Sequence, residues 1–217
     1  MNQTYLNFTF IFTLFMFILD NLFKLLNLNN KSRWFFLHSI CNFIICYYCF
    51  NPMIKLLKNP IFHIQNPTRF DYSTIISAIL HMYHLIFFKC NKSDLFHHLT
   101  FVLFGTLTQY LVNWGYGTAL YHFFLCGLPG GIDYFLLGLA KQNVISKNSR
   151  LKYAVELNNW IRAPGAIFTW CISYIWFIYR LDYGLNLFCF IIITLASVIN
   201  AQYYSRQVTL CAGNKLN

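Results

Sequence analysis

In this chain of 217 residues, 58% are hydrophobic and only 10% are charged, less than half the charged share of roughly 25% that a soluble domain carries. That balance excludes a water-soluble globular protein, and the length leaves room for one membrane domain and no second folded module. The net charge of +10 does not point to nucleic acid, because the basic residues are scattered between apolar runs and form no continuous stripe.

Crossing a hydrocarbon core of roughly 30 Å takes about 20 helical residues, and seven runs compete for that role. The first, Tyr5 to Phe23, is followed rather than preceded by its basic residues (Lys24, Lys31, Arg33), which predicts a retained span instead of a cleaved signal peptide. The second and third, Trp34 to Phe50 and Ser73 to Phe88, are short. The fourth is Leu95 to Trp114. The fifth, Thr118 to Ala140, is interrupted at Pro129, Gly130 and Gly131. Ile161 to Leu181 and Leu185 to Tyr204 complete the series. None shows the two-residue alternation of a barrel strand, and helices keep backbone hydrogen bonds inside the segment. The expected fold is all-α, a polytopic transmembrane helix bundle of about six or seven helices.

Two longer polar stretches join these runs, from Asn51 to Tyr72 and from Gln142 to Arg162. The latter closes on Trp160 and Arg162, residue types suited to a membrane interface, with Pro164 suited to the first turn of the sixth span. Basic residues concentrate in cytoplasmic connectors. With seven crossings and the N-terminus outside, 12 of the 16 Lys and Arg residues fall inside: Lys24, Lys31, Arg33, Lys89, Lys92, Lys141, Lys147, Arg150, Lys152, Arg162, Arg206 and Lys215. Lys55, Lys58, Arg69 and Arg180 fall outside. The bias predicts a cytoplasmic C-terminus, with connectors able to touch anionic headgroups.

Polar groups inside apolar runs carry the functional signal, since an ionisable side chain at mid-span costs about 2.5 to 3.5 kcal/mol on insertion scales. Here most are histidines: His38 in the second run, His81 and His84 in the third, the pair His97 and His98 in the fourth, and His122 in the fifth. His81 and His84 share a helix face. Adjacent His97 and His98 diverge by about 100°, so one can point inward while the other packs on a neighbour. A neutral imidazole is suited to moving a proton near pH 7; the alternative is that each ring simply bonds a group on an adjacent helix. Asp133 follows the Pro-Gly-Gly interruption. Either a broken helix lines a cavity there, with the carboxylate orienting a histidine or accepting a proton, or the span ends near Gly127 and Pro129 to Asp133 is an ordinary turn. Arg162 is either an interfacial anchor or a ligand for a lipid phosphate. The eight cysteines, six of them within spans and Cys90 at an edge, read as small apolar packing residues, so no disulfide and no metal is expected.

Several of these residues together resemble the TLC domain, the TRAM, LAG1 and CLN8 homology family of multi-pass membrane proteins. They are Arg33-Trp34 with His38, Asp94 before the His97-His98 pair, a polar tip with Asn113 and Gly117, then Asp133 and Lys141 followed by the Asn/Trp/Arg stretch. The resemblance spans about residues 30–205, leaving 1–29 as a first transmembrane segment with its connector and 206–217 as a short cytoplasmic tail. It implies an endoplasmic-reticulum-type membrane protein concerned with lipids, sphingolipids among them, and places His97 and His98 at the family's histidine pair. The synthase branch reads His-Asp-x-x-Asp in a later span; here Phe123 follows His122, and Cys126 stands where the second aspartate would be, which implies the non-synthase branch.

Three classes follow. In the first, a lipid acyltransferase resembling ceramide synthase, His97, His98, His122 and Asp133 are the catalytic candidates. His81, His84 and Arg162 would bind substrate, no cofactor is required, and acyl-CoA would be the co-substrate. In the second, the chain binds membrane lipids or cargo without turnover. The third is a histidine-rich di-iron lipid hydroxylase, for which seven histidines are few.

Overall fold

The computed structural model describes residues 3–180 and 185–216, and every regular element among them is a helix. In chain order these are α1 (Gln3–Leu25), α2 (Asn30–Lys58), the short α3 (Pro60–Gln65), α4 (Tyr72–Phe87), α5 (92–111), α6 (Gly117–Lys141), α7 (Lys147–Tyr179) and α8 (Leu185–Leu216). Five of them, α1, α2, α6, α7 and α8, are long and apolar enough to cross a membrane. All seven apolar runs lie in helices, apart from boundary residues of the third, fourth and sixth. Leu181, the end of the sixth, falls outside the described residues.

Local chemistry sets the ends. Asn29 caps α2 by accepting the Ser32 N–H (3.0 Å), and Ser146 caps α7 by accepting that of Ser149 (3.0 Å). Asn91 and Asp94 form a reciprocal capping box at the start of α5. Asn27 and Asn143 sit at φ of 56° and 59° just beyond α1 and α6. In each case the next N–H reaches back five residues, Leu28 to Phe23 and Val144 to Leu139, so that a Schellman motif closes the helix with Asn in the usual place of Gly.

Several sequence expectations are corrected. The second run is not short, because α2 continues through Pro52 to Lys58 and absorbs the start of the first polar connector. Among the helices that carry the seven runs, only α4, at 16 residues, falls short of the hydrocarbon thickness, reaching about 24 Å at 1.5 Å per residue. The fifth run neither breaks nor ends at Gly127. A π turn at Phe123–Gly127 carries the helix into Leu128–Lys141, and a second π turn at Asn158–Arg162 does the same inside α7. Each stands just ahead of a proline, Pro129 or Pro164, so the local change of register accommodates the missing donor. Pro164 therefore lies inside a helix that began at Lys147, and most of the expected Gln142–Arg162 connector is the first half of α7. At the other end of the chain, α8 runs unbroken through Arg206.

Gly130 and Gly131 also differ from their expected role. They and Gly138 form the face of α6 that meets α2, the most extensively packed pair in the bundle. A Cβ at Gly138 would come 2.6 Å from the Phe36 ring, and one at Gly131 2.9 Å from that of Phe43. The close approach lets Ser39 donate to the Gly131 carbonyl (2.7 Å) and Ser32 to that of Gly138 (3.3 Å), a small-residue contact with interhelical hydrogen bonds. One apolar core joins α1, α2 and α4 around Met16, Leu37, Ile76 and Leu80; another joins α2, α3, α6, α7 and α8 around Trp114 and Trp176, whose rings meet at a tilt of 32°. Outward, α1 presents Phe10, Ile11, Ile18 and Leu22.

Candidate functional site: a histidine-lined cavity in the bundle

Between the helices lies a cavity of about 260 Å³. His38 and Asn42, four residues apart on one face of α2, supply one wall, and His81 of α4 and His97 of α5 the next. Tyr121, His122, Asp133 and Tyr134 come from α6, Arg150 and Arg162 from α7, and Asn200 and Tyr204 from α8. All three π turns contribute, since Val102 lies in the one at His98–Leu103, Cys126 in that of α6 and Arg162 in that of α7. Each re-aims side chains that a regular helix would turn elsewhere.

His38, His81 and His97 form the polar heart, with His98 behind His81 and outside the lining. The His81 ring centroid stands 5.4 Å from that of His38, 5.7 Å from His97 and 5.0 Å from His98. His38 lies flat against Tyr134 at 3.7 Å. His81 Nδ1 is 2.7 Å from the Ser77 carbonyl oxygen. A carbonyl can only accept, so Nδ1 carries the proton, and the neutral ring presents its lone pair at Nε2. That Nε2 is buried without a protein hydrogen-bond partner, as are His38 Nδ1, Asn42 Nδ2 and Asn200 Oδ1 around the same space. Buried polar atoms are nearly always bonded, so this concentration on one cavity marks groups held ready for something that enters it.

The expected site residues divide. His81, His97, His122, Asp133 and Arg162 all line the cavity. Of the histidine pair, His97 faces it, while His98 turns to α4, where its Nε2 is 3.3 Å from His84 Nδ1. His84 is likewise outside the cavity, stacked on Trp34 at 3.8 Å. His122 shares a hydrogen bond with Ser73 (Nδ1 to Oγ, 2.8 Å). Asp133 does not orient a histidine: its Oδ1 accepts from Arg150 Nη2 at 2.6 Å. Arg162 donates to Asn158 Oδ1 at 2.8 Å, and Arg150 and Arg162 face the cavity instead of serving as connector charges. Arg33 also leaves that set, being buried against Asp20.

Sequence reasoning missed Arg150, Tyr134, Asn42 and the special standing of His81. Asn42 had a readable signal, its four-residue spacing from His38. Arg150 had none, because nothing in the polar stretch announced a helix joined to the sixth span. Cys90, expected as a packing residue at a span edge, lies in the link between α4 and α5. Burial and the nearby Asp94 carboxylate push its thiol above its ordinary range.

Fold and site together define the class: the chain is a multi-pass, all-helical integral membrane protein with a polar cavity inside the bundle. No protein-family model, curated protein or solved structure matches it.

Proposed function

We propose that this protein handles lipids in an endoplasmic-reticulum-type membrane, as the TLC resemblance implies, and that its cavity transfers an acyl group to the amine or hydroxyl of a long-chain lipid. The observation that carries this reading is His81, whose Nδ1–H is committed to Ser77 and whose Nε2 is uncommitted within the cavity. Such a ring is a base of fixed tautomer, with its acceptor nitrogen turned to the space a nucleophile would occupy.

In the proposed step the lipid nucleophile gives its proton to His81 Nε2 as it attacks the thioester carbonyl of acyl-CoA. The C–S bond breaks, and the leaving thiolate takes the proton back from the imidazolium, so the ring ends as it began. Arg162, fixed through one Nη by Asn158, presents positive charge to an anionic group. His97 stands beside His81 as the second polar contact for the nucleophile. With Arg33, Arg150 and Arg162 set aside, nine of the inside basic residues remain against four outside, which still supports a cytoplasmic C-terminus.

One observation favours the non-enzymatic alternative: Asp133, the sole acidic side chain lining the cavity among the described residues, is paired with Arg150 and not with an imidazole. Binding without turnover needs no such dyad. To decide, the protein is expressed in cells lacking their own long-chain-base acyltransferases, and labelled lipids are compared for wild type and His81→Ala. A new acylated lipid that falls by about 10²- to 10⁴-fold in an equally abundant variant supports acyl transfer through His81. Identical lipid profiles from wild type, variant and empty cells sink it in favour of lipid binding.

A further inference from the structure

At the end of the bundle where α4 passes to α5, a second group of polar side chains stands apart from the cavity lining. His84 comes from the last turn of α4, Cys90 from the link, and His98 from the start of the π turn in α5. One ligand-capable atom from each, an imidazole nitrogen twice and a sulfur, lies within 4.8 Å of the others. We propose that His84, Cys90 and His98 bind one divalent transition-metal ion of the zinc type, which ties α4 to α5.

The geometry fits that cation closely. Two imidazole nitrogens on one tetrahedral zinc, each about 2.0 to 2.1 Å from it, stand roughly 3.3 to 3.4 Å apart; His84 Nδ1 and His98 Nε2 are 3.3 Å apart. One thiolate with two imidazoles is a donor set that zinc favours over hard cations such as magnesium or calcium. The ligands are also held in place in advance. Trp34 stacks on the His84 ring with an interplanar angle of 10°, and the Asn91–Asp94 capping box pins the link that carries Cys90.

The competing account is a bare hydrogen bond between the two rings. It requires one nitrogen to be protonated toward the other, yet the opposite nitrogen of His98, Nδ1, is buried with no partner that would select a tautomer. A cation satisfies both facing lone pairs at once. On coordination Cys90 gives its thiol proton to solvent and binds as thiolate. Three protein ligands leave one position for water or another small ligand. The site is independent of the acyl-transfer reading, since none of its three residues lines the cavity.

The test uses the full chain, free of any histidine tag, purified in detergent and titrated with Co²⁺ as a visible stand-in for zinc. One equivalent is expected to bind with a thiolate-to-cobalt charge-transfer band and the intense d–d bands of a tetrahedral site, both abolished by Zn²⁺. Cys90→Ser is expected to erase the charge-transfer band and weaken zinc binding by more than about 100-fold, beyond the loss seen for outer-shell residues. Cys211→Ser, at an exposed cysteine elsewhere, is expected to retain both. Wild-type protein that takes up no stoichiometric metal overturns the proposal, whatever becomes of the variants, and so does a charge-transfer band that survives Cys90→Ser.

Discussion

Two buried polar regions sit within the same bundle and behave in opposite ways. Between α1, α2 and α4, Asp20 accepts from Arg33 Nε (2.9 Å) and Nη2 (3.0 Å) and from the Tyr83 hydroxyl (3.1 Å), with Lys24 Nζ 3.4 Å away. Its side chain has no exposed surface, and both of its oxygens are bonded. Around the cavity, by contrast, imidazole and amide atoms lie buried without protein partners. A closed network fixes where helices sit, since removing one member strands the others in a medium that cannot solvate them. Groups left open are poor for stability and are kept where a ligand completes them.

Breaking the closed network has the largest expected effect. Asp20→Ala leaves the Arg33 guanidinium buried without a counter-ion, its Nη1 held only by Asn30, a loss of about 3 to 5 kcal/mol, read as a steep fall in thermal unfolding temperature in detergent. If that variant unfolds like wild type, the network is not structural and the contrast fails. His81→Ala, the loss-of-turnover variant, is expected to keep the wild-type unfolding temperature to within the effect of a surface substitution, about 0.5 kcal/mol beyond its lost packing. A collapse comparable to Asp20→Ala would make His81 a packing residue.

A smaller effect is expected at the tight contact between α2 and α6. Gly138→Leu forces a side chain against Phe36 on the tight α2–α6 face, and overpacking of this kind costs about 1 to 3 kcal/mol. Unfolding that is unchanged in this variant would mean that α2 and α6 approach less closely than described.

Much of the architecture is legible in the sequence, because spans are written as length and hydropathy: every apolar run became a helix. What is not legible is where helices join. The polar residues from Lys147 to Arg162 carry no span signal, yet they continue into α7, and the π turns that accommodate Pro129 and Pro164 have no sequence mark beyond the prolines themselves. The site was half legible. Histidines in apolar runs are conspicuous, and the divergence of His97 from His98 follows from helix geometry. Their ranking was not, since the tautomer of His81 depends on its contact with the Ser77 carbonyl, which exists only in the folded helix. Nor does linear spacing bring Cys90 together with His84 and His98. Asp20 was passed over because an acidic residue near the end of a run looks like a boundary until Arg33 and Tyr83 are seen to close on it.

The central claim is that the open polar groups exist to receive a lipid, and photolabelling tests it most directly. Protein reconstituted in vesicles with a photoactivatable long-chain amine would be irradiated, digested and mapped by mass spectrometry. Saturable adducts on the cavity-lining segments of α4 and α6, near His81 and Tyr134, are expected, with competition by unlabelled amine. Non-saturable labelling spread over the outward faces, such as Phe10, Ile11 and Ile18 of α1, with the cavity segments unmodified, would contradict it.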